Sequence, residues 1–209
     1  MSSVEDSSLI VRISLGSDCA CAHQLSKHFS NQLRYPFDWM KCDSIKSISH
    51  IIDNKFSTFF ENYQLIEQSD NFENFDNFEN FDNFDNISDL EKSDKVIRSR
   101  IKVKLSNGTI LPHESIEYDF NPDNYSEKYK RRIERFYNVI SDKSIKKIFY
   151  RCDNKKIKDE DKQILIKCLD NYGCVNYEIK FITYSEYKLD ESSKFTWQRD
   201  YMDWVKIFN

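Results

Sequence analysis

The chain has 209 residues, enough for one substantial domain and too few for two once a low-complexity stretch is set aside. Its 31 Lys and Arg are outnumbered by 35 Asp and Glu, and the net charge of −4 gives no overall attraction to nucleic acid or anionic membranes. No stretch approaches the roughly eighteen continuous apolar residues of a membrane span, and the N-terminal stretch around Glu5 and Asp6 does not read as a secretory signal.

An intracellular, cytoplasmic chain is therefore expected. The six cysteines, Cys19, Cys21, Cys42, Cys152, Cys168 and Cys174, are scattered without the dense spacing of a secreted scaffold, so they read as free thiols.

Leu9 to Leu15 is β-branched and nearly continuously apolar, which predicts a strand buried on both faces of a parallel sheet. Gly16 stops it, and Gly16-Ser17-Asp18 forms a tight turn into a helix that opens on Cys19 and runs to Phe29, with Ser17 or Asp18 as its cap. Pro36-Phe37-Asp38-Trp39 reads as a rigid aromatic turn whose Asp38 and Trp39 are candidate binding residues. The spacing of Ile45, Ile48, Ile51 and Ile52 predicts a second helix reaching Asn54, with Phe56, Phe59 and Phe60 closing the same core.

Residues 70 to 86 place Phe72, Phe75, Phe78, Phe81 and Phe84 at every third position between acidic residues and Asn. That period suits neither helix nor strand, so the stretch is expected to be the heart of a solvated low-complexity insert spanning 66–95. The alternative is an ordered sticker that docks its Phe side chains on a protein partner or on the domain itself.

Ile101 to Leu105 alternates like a half-exposed strand and turns through 106–109 into Ile110 and Leu111, a short hairpin. Asn124 and Glu127 make a capping box before a helix whose apolar stripe is Tyr129, Ile133, Phe136, Tyr137 and Ile140. Its opposite face carries Lys128, Lys130, Arg131, Arg132 and Arg135. That face is either solvated or a site for phosphate or an acidic partner, with Arg131 and Arg132 the candidate binding residues.

Ile145 to Cys152 reads as a strand, Asp161 to Tyr172 as a helix ending at Gly173, and Tyr177 to Thr183 as a strand, which together imply a parallel crossover. Trp197 to Phe208 is expected to close the chain as an aromatic-rich helix. The fold class is α/β: a single domain, its mainly parallel sheet flanked by helices, with one insert.

Reactive groups in open α/β folds gather at the carboxyl ends of strands, where a helix N-terminus also presents unpaired N–H groups and partial positive charge. Cys19 sits at that junction, and a helix N-terminus lowers a thiol's pKa when a basic partner helps. Cys21, two residues on, faces elsewhere and reads as core. Two histidines are candidate partners. His23 is four residues after Cys19, on the same helical side, and His113 lies in a loop after the hairpin with Asp119 and Asn121 nearby. His28 and His50 read as structural or exposed. C-x-C-x-H lacks the spacing of a zinc site, so no metal and no cofactor is expected.

Ser14-Leu15-Gly16-Ser17-Asp18-Cys19, then Ala22 and Leu25, then Tyr35-Pro36-Phe37-Asp38-Trp39 resemble the opening motifs of the putative papain-like cysteine peptidase family, a domain of unknown function found in bacteria and large DNA viruses. The stretch from Lys128 to Phe136 and the strand Ile148-Phe149-Tyr150-Arg151 are similar as well. The resemblance implies Cys19 as nucleophile and His113 as general base, and a location in host cytoplasm or virion if the chain is viral. Glu114 follows His113 where the family pattern suggests Asp, and the third member stays open among Asp119, Asn121 and Asp153. The expectation is a cysteine-dependent peptidase, amidase or acyl transferase acting on a peptide, amide or ester. Its rival is a non-catalytic module that recognises a phosphorylated or acidic partner through the basic helix.

Overall fold

The computed structural model describes residues 9–57, 59, 63–67, 101–105, 108–111, 122–187 and 198–209. His113, Asp119, Asn121, Phe60, Trp197 and the Phe repeat lie outside them.

Strand β1 (Ile10–Ser14) leads into helix α1 (Ala20–His28), and a second helix, α2 (Ile45–Asp53), follows. Three strands, β2 (Tyr63–Glu67), β3 (Ile101–Leu105) and β4 (Ile110–Leu111), precede the long helix α3 (Pro122–Ser141). The chain continues through β5 (Lys146–Asp153), α4 (Asp159–Asn171) and β6 (Tyr177–Thr183), and closes on α5 (Trp204–Phe208). The architecture is α/β: a parallel sheet in the order β1-β5-β6, with a smaller antiparallel sheet in the order β2-β3-β4.

β5 is the central strand, and its alternation explains the layers. Phe149 points into one core with Ile13, Leu15, Phe136, Ile140, Leu165 and Leu169. Ile148, Tyr150 and Cys152 point into another with Ala20, Cys21, Leu25, Trp204 and Phe208. Helices α2, α3 and α4 thus cover one face, and α1 and α5 the other. The stripe predicted on α3 is the one buried, with Phe136 0%, Tyr129 1% and Ile140 1% exposed. The hydroxyls of Tyr137 and Tyr172 donate to the Ile52 carbonyl (2.7 and 2.9 Å), satisfying the end of α2, while Ser44 caps its start by accepting from the Ser47 amide at 3.1 Å.

Several expectations change. Among the described residues β1 is an edge strand flanked by β5 alone, buried at Ile13 and Ser14 but exposed at Ile10. Strand β2 was not anticipated. It pairs with β3 from Tyr63↔Leu105 to Glu67↔Ile101, so Ile66 and Glu67, expected within the insert, belong to a strand. Helix α3 starts at Pro122, a residue suited to the first helical position, and Asn124 therefore lies inside the helix. The last helix is only Trp204–Phe208: residues 198–202 form a turn in which Arg199 has φ 55°, and Asp203 caps the helix through the Lys206 amide. Among the described residues no helix is long and apolar enough to cross a membrane.

Candidate functional site

The carboxyl ends of β1 and β5 meet the start of α1 at a pair of turns. Gly16 has φ 72° and Ser17 φ 91°, which reverses the chain between strand and helix. A Cβ at Gly16 would meet the Phe37 and Met40 carbonyl oxygens at ordinary contact distance, 3.5 and 3.6 Å, so it is the positive φ rather than lack of room that favours glycine here. The Gly16 turn therefore packs on the 36–42 turn, where Trp39 also has a positive φ, 64°. Non-glycine residues in this region are strained, and such strain gathers at functional sites.

Cys19 is the N-cap residue of α1 and is 7% exposed, and its carbonyl accepts the first helical bond from the His23 amide at 3.0 Å. Asp18, one of the two expected caps, accepts from the Ala20 amide at 3.0 Å. The same Oδ1 accepts from the Tyr184 hydroxyl at 2.8 Å, and Oδ2 lies 3.5 Å from Arg199 Nη2. Arg199 stacks over the Tyr184 ring at 3.8 Å and donates to Asn154 Oδ1 at 3.1 Å. The amides of Cys21 and Ala22 have no acceptor among the described residues, the free N–H groups that a helix start leaves over.

Arg151 is wholly buried and ties the turns together. Nε and Nη2 donate to the two carboxylate oxygens of Asp153 at 2.7 and 2.8 Å. Nη1 donates to the Leu15 carbonyl at 3.1 Å and Nη2 to that of Cys42 at 2.8 Å. Both Asp153 oxygens are thus engaged by one guanidinium. Sequence reasoning missed Arg151 as a site residue, although a lone charge inside the apolar run of β5 was a signal for a buried ion pair.

The remaining candidates are placed as follows. Cys21 is core, 0% exposed, packed beside Cys152. His23 is buried, and burial pushes its pKa below the ordinary histidine value while Asp200 pulls it up. Burial raises the thiols of Cys42, Cys152 and Cys168, and that of Cys174 to about 11. His28 and His50 are exposed. Asp38 is buried and accepts from the Tyr35 amide at 2.9 Å, and desolvation lifts its carboxyl to about 6 against the pull of that amide and of Arg34, Arg132 and Arg135. Trp39 and Arg132 are half-buried, and Arg131 is exposed.

The small sheet reaches the same region. Lys41 and Ile110 exchange backbone hydrogen bonds at 2.9 Å in both directions, and Thr109 Oγ1 donates to Cys42 Sγ at 3.8 Å. The sequence profile of the family described as "putative papain-like cysteine peptidase" matches residues 10–186. The chain is also 31% identical over 223 residues to an uncharacterized protein of Acanthamoeba polyphaga mimivirus, an alignment covering 93% of this chain and 95% of that protein. No solved structure matches the chain.

Proposed function

The chain belongs to the putative papain-like cysteine peptidase family, and from that premise we propose that it is a cysteine-dependent hydrolase or acyl transferase with Cys19 as nucleophile. The whole chain, 1–209, is read as one domain carrying that chemistry. The observation that carries the reading is the position of Cys19: on a glycine turn, at the carboxyl end of β1, opening α1 beside two amides that have no acceptor among the described residues.

His113 is the proposed base. It follows buried Leu111 by two residues, which span at most about 7 Å, and the strand that ends at Leu111 is bridged to Lys41 next to the Gly16 contact. In the proposed step His113 takes the thiol proton and Sγ attacks the carbonyl carbon of an amide or ester. The N–H groups of the first helical turn hold the oxyanion, the amine or alcohol leaves with the proton from His113, and a thioester remains. Water, deprotonated by His113, then attacks the thioester carbon, releasing the acid and restoring the thiol. Asp119 is the proposed orienting carboxylate for His113.

The test is alkylation by iodoacetamide at neutral pH, followed residue by residue by mass spectrometry. Cys19 should react first, since burial raises the thiols of Cys42, Cys152, Cys168 and Cys174. Cys19→Ala should remove the fast phase and His113→Ala should slow it. If Cys19 reacts no faster than Cys168 in the folded chain, the reading fails, and the basic helix as a plain binding surface becomes the better account.

A further inference from the structure

The sequence pairs Arg131 with Arg132, but on a helix neighbours point about 100° apart. Arg131 is exposed, with Glu127 four residues before it and Glu134 three after it, both exposed, so that stripe is close to neutral. Lys128, Arg132 and Arg135 instead share one stripe at i, i+4 and i+7, and all three are half-buried.

That stripe faces the 34–39 turn. Arg135 Nη1 donates to the Arg34 carbonyl at 2.5 Å, and the Arg34 guanidinium lies 5.3 Å from the centre of the Trp39 ring. Arg132 lies 5.5 Å from the centre of the Tyr129 ring. Arg34, Arg132 and Arg135 all act on buried Asp38. Among the described residues neither Arg132 nor Arg135 has a carboxylate within ion-pair distance. A guanidinium partly removed from water without such a partner favours an anion, and its planar fork suits carboxylate or phosphate. The turn that carries Trp39 packs on Gly16, three residues from Cys19.

We propose that Arg132, on the stripe whose Arg135 holds the Arg34 carbonyl beside Trp39, is the centre of a subsite, with Arg34 at its edge, for an anionic group, a carboxylate or phosphate, on the compound that Cys19 attacks. This rests on the hydrolase reading and names its substrate class. A nucleic acid is the less fitting ligand, because the cations form one short half-buried stripe on a chain of net charge −4 rather than an extended exposed face.

Binding is measured by calorimetry on the full chain carrying Cys19→Ala, with inorganic phosphate and with glutarate as separate probes, so the outcome does not depend on a working thiol. At least one probe should bind, and the tighter one identifies the anion. Arg132→Gln and Arg34→Gln should each weaken it about tenfold, the lower end for a charge-assisted hydrogen bond at a half-exposed site, while Arg131→Gln stays within about twofold. Arg132→Lys, which keeps the charge and loses the fork, should fall between and serves if Arg34→Gln does not fold. Absence of binding by both probes, equal losses from Arg131→Gln and Arg132→Gln, or tighter binding of a single-stranded oligonucleotide would each overturn the proposal. Binding as expected with an unreactive Cys19 would instead remove the hydrolase reading and leave an anion-binding surface.

Discussion

Replacing Asp38 by Asn tests the electrostatics beneath the 34–39 turn, because the side chain is buried and its carboxyl is lifted from 3.8 to about 6. A folded-state pKa above the unfolded one means that the native chain holds the proton more tightly. The stability this contributes is fully present below the unfolded value and is lost as pH rises through the folded one. A shift of about 2 units at 1.36 kcal/mol each gives a penalty of about 3 kcal/mol once Asp38 is ionised. Most of the change falls between the two pKa values, so about 2 kcal/mol of it accrues between roughly pH 4.5 and pH 7.5.

Asn keeps an oxygen for the Tyr35 amide but brings no charge to desolvate. It also adds a buried N–H₂ group, which shifts the variant's stability by a constant and leaves its pH slope alone. Urea unfolding of both proteins across that range isolates the term. The variant's stability relative to the parent should rise by about 2 kcal/mol toward neutral pH, while every other titrating group cancels. A gap that stays flat, or that narrows as pH rises, would show that Arg34, Arg132 and Arg135 outweigh burial and that the reasoning is wrong.

Three further outcomes follow from the site. Arg151→Met leaves the Leu15 and Cys42 carbonyls without their donor and Asp153 without its partner, and should cost about 3 kcal/mol in urea unfolding and slow Cys19 alkylation. Gly16→Ala forces an alanine to φ 72°, and that backbone strain should cost about 1 to 2 kcal/mol in the same assay. Ser44→Ala removes the side-chain cap of α2, and should lower stability by about 1 kcal/mol while leaving alkylation of Cys19 unchanged.

What the chain disclosed before folding was set by range. β1, the Gly16 turn and α1 were legible because an apolar run, a glycine and a helical repeat sit next to one another, and β5, α4 and β6 were legible for the same reason. β2 was not: Tyr63–Glu67 is short, and its partner β3 lies beyond a low-complexity stretch, so local pattern says nothing of the pairing. The closing helix was overread because aromatic residues suggested continuity, whereas Arg199 turns the backbone at φ 55° and Asp203 starts the helix afresh.

The site divides along the same line. Cys19 could be placed from six adjacent residues. The partners of Arg151 come from residues 15 and 42 as well as from Asp153, and the grouping of Arg34 with Arg132 and Arg135 joins a turn to a helix about a hundred positions later. Such juxtapositions exist only after the layers have packed. Helical spacing did, however, contain the separation of Arg131 from Arg132, since adjacent residues on a helix cannot share a stripe.

The pairing of Glu67 with Ile101 has a consequence for how this chain can change over generations. Opposed residues of an antiparallel ladder stand about 5 Å apart, so both ends of the stretch containing the triplet repeat are pinned to one rung. The register of β2 on β3 is written in Tyr63–Glu67 and Ile101–Leu105 themselves, and the chain leaves and re-enters the ladder at the same rung. A change in the number of residues between Glu67 and Ile101 thus leaves the sequence that sets this register untouched.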